Sequence, residues 1–177
     1  MCPDKRQIIN NLLLISGSGR NCGKTTLACE IIKKMTKSDT VYALKISPHF
    51  HQLSEKQELL LKQKEFSIFR ETDKDSTKDS SRMLQSGAKE SLYLQCEDHA
   101  VPEAFQKVIE LFPRDAPVVC ESGSLAKSIR PGLHLFLRNG NKNRKHHDSA
   151  DRVVHFNGEA FDLNIQQLSF KNGKWFL

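Results

Sequence analysis

The stretch Ser16-Gly17-Ser18-Gly19-Arg20-Asn21-Cys22-Gly23-Lys24-Thr25-Thr26 decides how the rest of the chain is read. An apolar run over residues 12–15 enters it, and a helical pattern from Lys24 to about Thr36 leaves it. Strand, glycine-rich turn, Gly-Lys-Thr and helix is the order in which a phosphate-binding loop works. Small residues let successive backbone N–H groups curl around phosphate oxygens, and the helix behind them aims its positive end at the same point. Gly19, Arg20, Asn21, Cys22, Gly23 and Thr26 then line the phosphates. Lys24 brings an ammonium to the β- and γ-phosphates, the Thr25 hydroxyl ligates Mg²⁺, and Arg20 stabilises charge during transfer. In G-x-x-x-x-G-K-[ST] the first glycine would fall on Ser18, whereas the available glycine is Gly17. The loop is either one residue longer than the usual form or has serine at its first position.

Outward from the loop, the apolar run reads as a central parallel strand buried on both faces. Leu27, Ala28, Ile31, Ile32 and Met35 share one face of the helix, and the lysines near its end (Lys33, Lys34, Lys37) suit its dipole. A strand over residues 41–46 completes a β-α-β unit. The pattern continues with a polar helix over about 54–64, a short strand at 66–69, and a short helix stopped by Gly87. Residues 91–96 read as a strand. A helix with Pro102 at its start then buries Phe105, Val108, Ile109 and Phe112, and further strands lie at 117–121, 133–137 and 152–156. Asn157-Gly158 and Asn172-Gly173 signal hairpins. The expectation is a single α/β domain over residues 1–177, a mainly parallel sheet flanked by helices with antiparallel hairpins at its C-terminal edge.

With 177 residues, 38% hydrophobic and 27% charged, the chain has the composition of one globular domain rather than a disordered segment. No apolar run approaches the roughly 20 residues of a membrane span. The run that follows Met1 to Arg6 reads as a core strand, not a signal peptide. Five widely spaced cysteines without C-x-x-C indicate reduced thiols in a cytoplasmic protein and argue against a disulfide framework or structural zinc. Cys22 is either an acidified thiol beside a helix N-terminus or simply a small residue that fits. The net charge of +6 suits nucleotides, but zinc-finger spacing and aromatic-basic signatures are missing, so nucleic acid is not the expected partner.

Beyond the loop, Glu121 ends a buried strand beside Gly123, where a carboxylate can hold Mg²⁺ directly or through water. Lys45 and Ser47 end the second strand on the same rim. Asp79 either reaches the metal or caps the helix that follows it. His49 and His51 are spaced as a metal pair without a third ligand. Asn141 or Lys142, after a strand on the side where nucleotide bases lie in many such folds, contacts the base. No Ser-His-Asp arrangement is evident.

The longer loop, Gly17 to Thr25, resembles those of dethiobiotin synthetases and cobyrinate amidating synthases, members of the SIMIBI class of phosphate-loop proteins. The order of further motifs is similar to the molybdopterin-guanine dinucleotide biosynthesis protein B family. It comprises Gly23 to Leu27, Lys45 with His49 and His51, Lys78-Asp79-Ser80-Ser81-Arg82 ahead of Gly87-Ala88, and Glu121 before Gly123. The correspondence covers residues 11 to about 137. The resemblance implies binding of GTP with Mg²⁺ by a homodimer that assists a molybdopterin nucleotidyltransferase in attaching a guanine nucleotide. Asn141-Lys142-Asn143-Arg144 lacks the aspartate of a guanine-reading Asn-Lys-x-Asp, so GTP and ATP both stand. Three activities follow as expectations: slow nucleotide hydrolysis in cofactor maturation, ATP-dependent phosphorylation of a small carboxylate or carbamate, or a nucleotide-gated dimeric binding module.

Overall fold

The computed structural model describes residues 6–19, 22–48, 50, 56–138 and 149–177. Strand β1 (Gln7–Gly17) runs into the glycine-rich turn, α1 (Lys24–Met35) leaves it, and β2 (Tyr42–Ser47) follows. The chain continues through β3 (Gln57–Lys62), β4 (Phe66–Glu71), α2 (Asp79–Gln85), β5 (Glu90–Cys96) and α3 (Val101–Ile109). It ends with β6 (Val118–Glu121), β7 (Ile129–Arg138), β8 (Arg152–His155), β9 (Ser169–Lys171) and β10 (Lys174–Phe176). Eight strands form one sheet in the order β3-β4-β5-β2-β6-β1-β7-β8. Every pairing from β5 across to β8 is parallel, while β4 runs antiparallel to both β5 and β3. The fold is therefore α/β, with a mostly parallel mixed sheet, few helices and a separate C-terminal antiparallel hairpin.

The centre follows from the apolar run. Leu12, Leu13, Leu14 and Ile15 are fully buried and alternate between two faces. Leu13 and Ile15 meet the α1 stripe, Leu27, Ala28, Ile31, Ile32 and Met35. Leu12 and Leu14 meet Phe105 and Val108 of α3. Each such side chain contributes about 1.5–3 kcal/mol on burial, so the two stripes hold the three layers together. Trp175 of the hairpin closes the α1 side and donates its indole N–H to the Asn11 carbonyl at 2.9 Å.

Three expectations are corrected. The described part of the polar stretch over 54–64 is strand β3, not helix. A three-residue connection, closed by Gln63 N–H to the Phe66 carbonyl, folds it back on β4 and pairs Leu59 with Phe69 and Leu61 with Ile68. Sheet pairing overrides the helical preference of Gln, Glu, Leu and Lys. The antiparallel strands consequently edge the sheet at β3, and the β8 edge is parallel. Asn172-Gly173 does form the β9–β10 hairpin, with φ of 50° and 72° as a type I′ turn requires. Asn157-Gly158 does not. The Asn157 side chain accepts from the backbone N–H groups of Glu159 and Ala160 (2.9 and 2.8 Å), which curls the loop and leaves one bridge, Phe156 to Phe161.

Strand β6 lies between β1 and β2, so the chain crosses over it on the way through α1. The carboxyl ends of three adjacent parallel strands thus meet beside the glycine-rich turn, the place where open α/β sheets bind ligands. Among the described residues no helix is long and apolar enough to cross a membrane.

Candidate functional site

Period-two alternation decides which rim residues face α1. Lys45 shares a face with Ala43, and Glu121 with Val119, both of which pack in the α1 layer. Lys45 and Glu121 are also register partners on neighbouring parallel strands, so their side chains stand side by side. The Lys45 ammonium donates to Glu121 Oε1 at 2.6 Å and pairs with Asp79 Oδ2 at 2.6 Å. Thr25, on the first turn of α1, donates its hydroxyl to Glu121 Oε2 at 2.7 Å. Residues 25, 45, 79 and 121, from four separate elements, form one connected cluster.

The electrostatics are those of a charged group held half out of water. Glu121 is only 2% exposed. Burial pushes the Lys45 pKa down, but Glu121 and Asp79 outweigh it and hold the ammonium above its ordinary value. For Asp79, burial pushes upward, and Lys45, Thr25 and Arg82 together bring the carboxyl below the usual range.

Helix α2 is anchored to deliver Asp79. Ser80 donates to the buried Glu71 carboxylate (2.6 Å), Ser91 donates to the Ser80 carbonyl (2.8 Å), and Arg82 reaches Thr26 Oγ1 (3.3 Å). The helix cap is Lys78, without a side-chain cap bond, so the capping role expected of Asp79 is not realised and its carboxylate turns to Lys45. Glu71 carried no signal in the sequence. It is 3% exposed and accepts from Gln57 and Ser80 side chains and from Asp73 N–H.

The loop itself is tightly made. A Cβ at Gly17 would stand 2.8 Å from the Leu137 carbonyl oxygen and 2.9 Å from Cys22 Sγ, so position 17 admits only glycine on steric grounds. Gly23 has φ of 91° and, as the residue before α1, offers no side chain to cap the first helical N–H groups. The stacked rings of Phe156 and Phe161, centroids 4.6 Å apart, press on it; a Cβ there would meet Phe156 at 3.0 Å. Gly23→Ala should cost about 2 kcal/mol through the left-handed backbone and the ring contact. Thermal unfolding measures this, and a neutral result would contradict the assigned φ. Cys22 is buried, and its thiol donates to the Gly19 carbonyl at 3.3 Å. Lys24 donates to the same carbonyl and to Cys22 Sγ, the latter at 3.3 Å, so it lies folded along the loop.

Arg20, Asn21, His49, His51, Asn141 and Lys142 lie outside the described residues. Ser47 is buried at the end of β2.

Two features escaped sequence reasoning. Ser16 Oγ and His134 Nε2 are 2.7 Å apart on the α3 face of β1 and β7, 118 positions apart in the chain. Beside them a cavity of about 440 Å³ opens at the rim, lined by Ser16, Gly17, Phe136, Gly123, Ser124 and Lys127 among others. Cys96 and Cys120 are buried thiols: burial raises Cys96 to about 11 and Cys120 further.

The chain matches no protein-family model, no curated protein and no solved structure.

Proposed function

We propose that this protein binds a purine nucleoside triphosphate, GTP or ATP, with Mg²⁺ through the Gly17–Thr25 loop, and hydrolyses it slowly. The observation that carries the reading is the 2.7 Å hydrogen bond from Thr25, one residue past Lys24, to the buried Glu121 at the end of β6. It couples the loop helix to a carboxylate on the adjacent strand, the pairing that phosphate-loop chemistry needs for its metal. With glycine as the N-cap of α1, supplying no side-chain cap, and no acidic residue in the first turn, the helix start favours an anion.

The donors suit Mg²⁺: a hydroxyl and two carboxylates, all hard oxygens, around a point where the Lys45 ammonium already stands as a cation between Glu121 and Asp79. Thr25, Glu121 and Asp79 would hold the ion, which when bound neutralises charge on the β- and γ-phosphates. Lys45, which now pairs with Glu121 and Asp79, would then supply a positive charge beside the phosphates. Thr25→Val should therefore weaken the Mg²⁺–nucleotide complex about tenfold while leaving metal-free nucleotide binding nearly unchanged, read by calorimetry with and without the ion.

The accessory role in attaching a guanine nucleotide to molybdopterin, in the cytoplasm, as a homodimer working with a nucleotidyltransferase, rests on the motif resemblance. The segment from Lys78 to Arg82 that carries much of it is the start of α2, which brings Asp79 to Lys45. A second reading, phosphorylation of a small carboxylate, draws on the cavity beside the loop. Titrating GTP, ATP and their Mg²⁺ complexes, with turnover measured in the presence and absence of small carboxylates, separates them. Strong ATP preference removes the accessory role, and slow hydrolysis indifferent to carboxylates removes the second reading.

A further inference from the structure

We propose that Ser16 and His134 form a nucleophile–base pair that hydrolyses small carboxylic esters in the cavity on the α3 side of β1 and β7. Leu12 and Leu14 of β1 pack in the α3 layer, so period-two alternation turns the Ser16 side chain to the same face. On β7, Phe136 is the register partner of Ser16, and His134 stands two residues before it on that face. Ser16 Oγ and His134 Nε2 are 2.7 Å apart, within reach for proton transfer. Ser16 and Phe136 both line the cavity, whose volume of about 440 Å³ falls in the range of small-molecule pockets. The nucleophile thus meets the cavity, and the base, 1% exposed, stays behind it.

Hydrogen-bond direction sets the roles. His134 Nδ1 faces the Ser149 carbonyl at 3.2 Å, and a carbonyl only accepts, so the ring proton sits on Nδ1. Nε2 is then the acceptor of the Ser16 proton. Burial first, and then the Arg6 charge, hold the imidazole below its ordinary pKa against Ser149 and Asp151, which keeps it a neutral base at pH 7. The imidazolium formed during reaction is held by the Ser149 carbonyl and by Asp151, whose carboxylate accepts the His134 backbone N–H at 2.7 Å. Backbone direction supplies an oxyanion donor. Ser18 N–H donates to Leu137 on β7, and the Ile15 carbonyl accepts from Ser122 on the β6 side, so Gly17 N–H turns toward β6. Strand β6 ends at Glu121, and no strand residue remains opposite that N–H. The N–H of the residue after a strand-end nucleophile is the one placed to meet the developing oxyanion. Ser16 Oγ attacks the ester carbonyl carbon while its proton passes to Nε2. The bond to the alkoxy oxygen then breaks, and the leaving alcohol takes that proton. Water attacks the acyl carbon next, giving a proton to Nε2; the bond to Oγ breaks, Ser16 recovers the proton and the carboxylic acid leaves.

The pair uses neither nucleotide nor metal, so its test, run on the full chain without either, is independent of the nucleotide reading. Diisopropyl fluorophosphate traps such a serine: Oγ bonds to phosphorus, fluoride leaves, and the hydroxyl proton passes to Nε2 and then to water. Intact mass and peptide mapping should place one adduct on Ser16, and p-nitrophenyl acetate should release p-nitrophenolate until the same serine is trapped. Ser16→Ala should abolish both reactions. His134→Gln keeps a hydrogen-bonding amide beside Ser16 but no base. It should slow labelling by at least about tenfold, since a positioned base contributes about 100-fold or more. Thermal unfolding checks that these variants fold. If they do not, the unaltered protein decides, because Ser16 should react at least about tenfold faster in the native chain than in urea, where the pair is lost. An unlabelled Ser16, a His134→Gln rate within tenfold of the unaltered one, or equal labelling in the native and urea-unfolded chain would each overturn the proposal.

Discussion

Lys24→Ala should weaken nucleoside triphosphate binding about 10- to 100-fold, the equivalent of losing one charge-assisted hydrogen bond of roughly 1.5–3 kcal/mol. The side chain now donates to the Gly19 carbonyl and Cys22 sulfur, neutral partners within its own loop. Turning it onto phosphate exchanges those contacts for ionic ones, so most of the interaction appears as affinity. Because Lys24 is half-buried and has no carboxylate partner among the described residues, the same change should move stability by less than about 1 kcal/mol. Lys24→Arg should not restore binding, since a planar fork cannot occupy the path of a slender ammonium stem. Calorimetry at fixed ionic strength measures the effect. Affinity retained within tenfold, about 1.4 kcal/mol, would remove the phosphate-loop assignment.

How much of this site is legible in the sequence depends on the distance over which each signal acts. The glycine-rich loop, the α1 stripe and the parallel centre are written in neighbouring residues, because helix and strand periods are local. Glu121 is legible by position, as a carboxylate closing an apolar strand. The pairing of Lys45 with Glu121 is not, since it depends on β6 inserting beside β2, a choice made by packing between elements 76 residues apart. Asp79 showed the competing local signal, capping, and lost it to Lys45. Ser16 and His134 each look unremarkable alone; only the β1–β7 register, with Leu14 opposite His134 and Ser16 opposite Phe136, brings them to one face. Strand β3 misled because Gln57–Lys62 is built from good helix formers, and an edge strand tolerates polar outward faces. The resemblance to nucleotide-binding families stands on the loop and short motifs alone, whereas the Thr25–Glu121 bond is a contact between elements 96 residues apart that no local pattern announces.

Glu121→Ala should destabilise the fold by about 3–5 kcal/mol, because it strips a buried ion pair of one member. Lys45, whose side chain is 16% exposed, would keep only Asp79, itself 38% exposed, and Thr25 would lose its acceptor. Lys45→Met should cost a similar amount for the mirror reason, leaving the Glu121 carboxylate in the interior without its cation. The double variant Lys45→Met/Glu121→Ala removes both charges together, and it should recover a substantial part of the summed loss, since the partners are in direct contact. Urea unfolding of the four proteins gives the coupling energy; simple additivity would contradict the cluster. The pH profile supplies an independent reading. Asp79 has a folded pKa below its unfolded value of about 3.9, so its contribution is complete above that value and lost as pH falls through the folded one. Lys45 has a folded pKa above about 10.4, so its contribution is complete below that value and lost as pH rises through the folded one. Stability from the cluster should thus form a plateau between about pH 5 and 9 and fall at both ends. In the double variant the alkaline fall should vanish with Lys45, and the acid fall should shrink because Asp79 has lost the cation that depressed it.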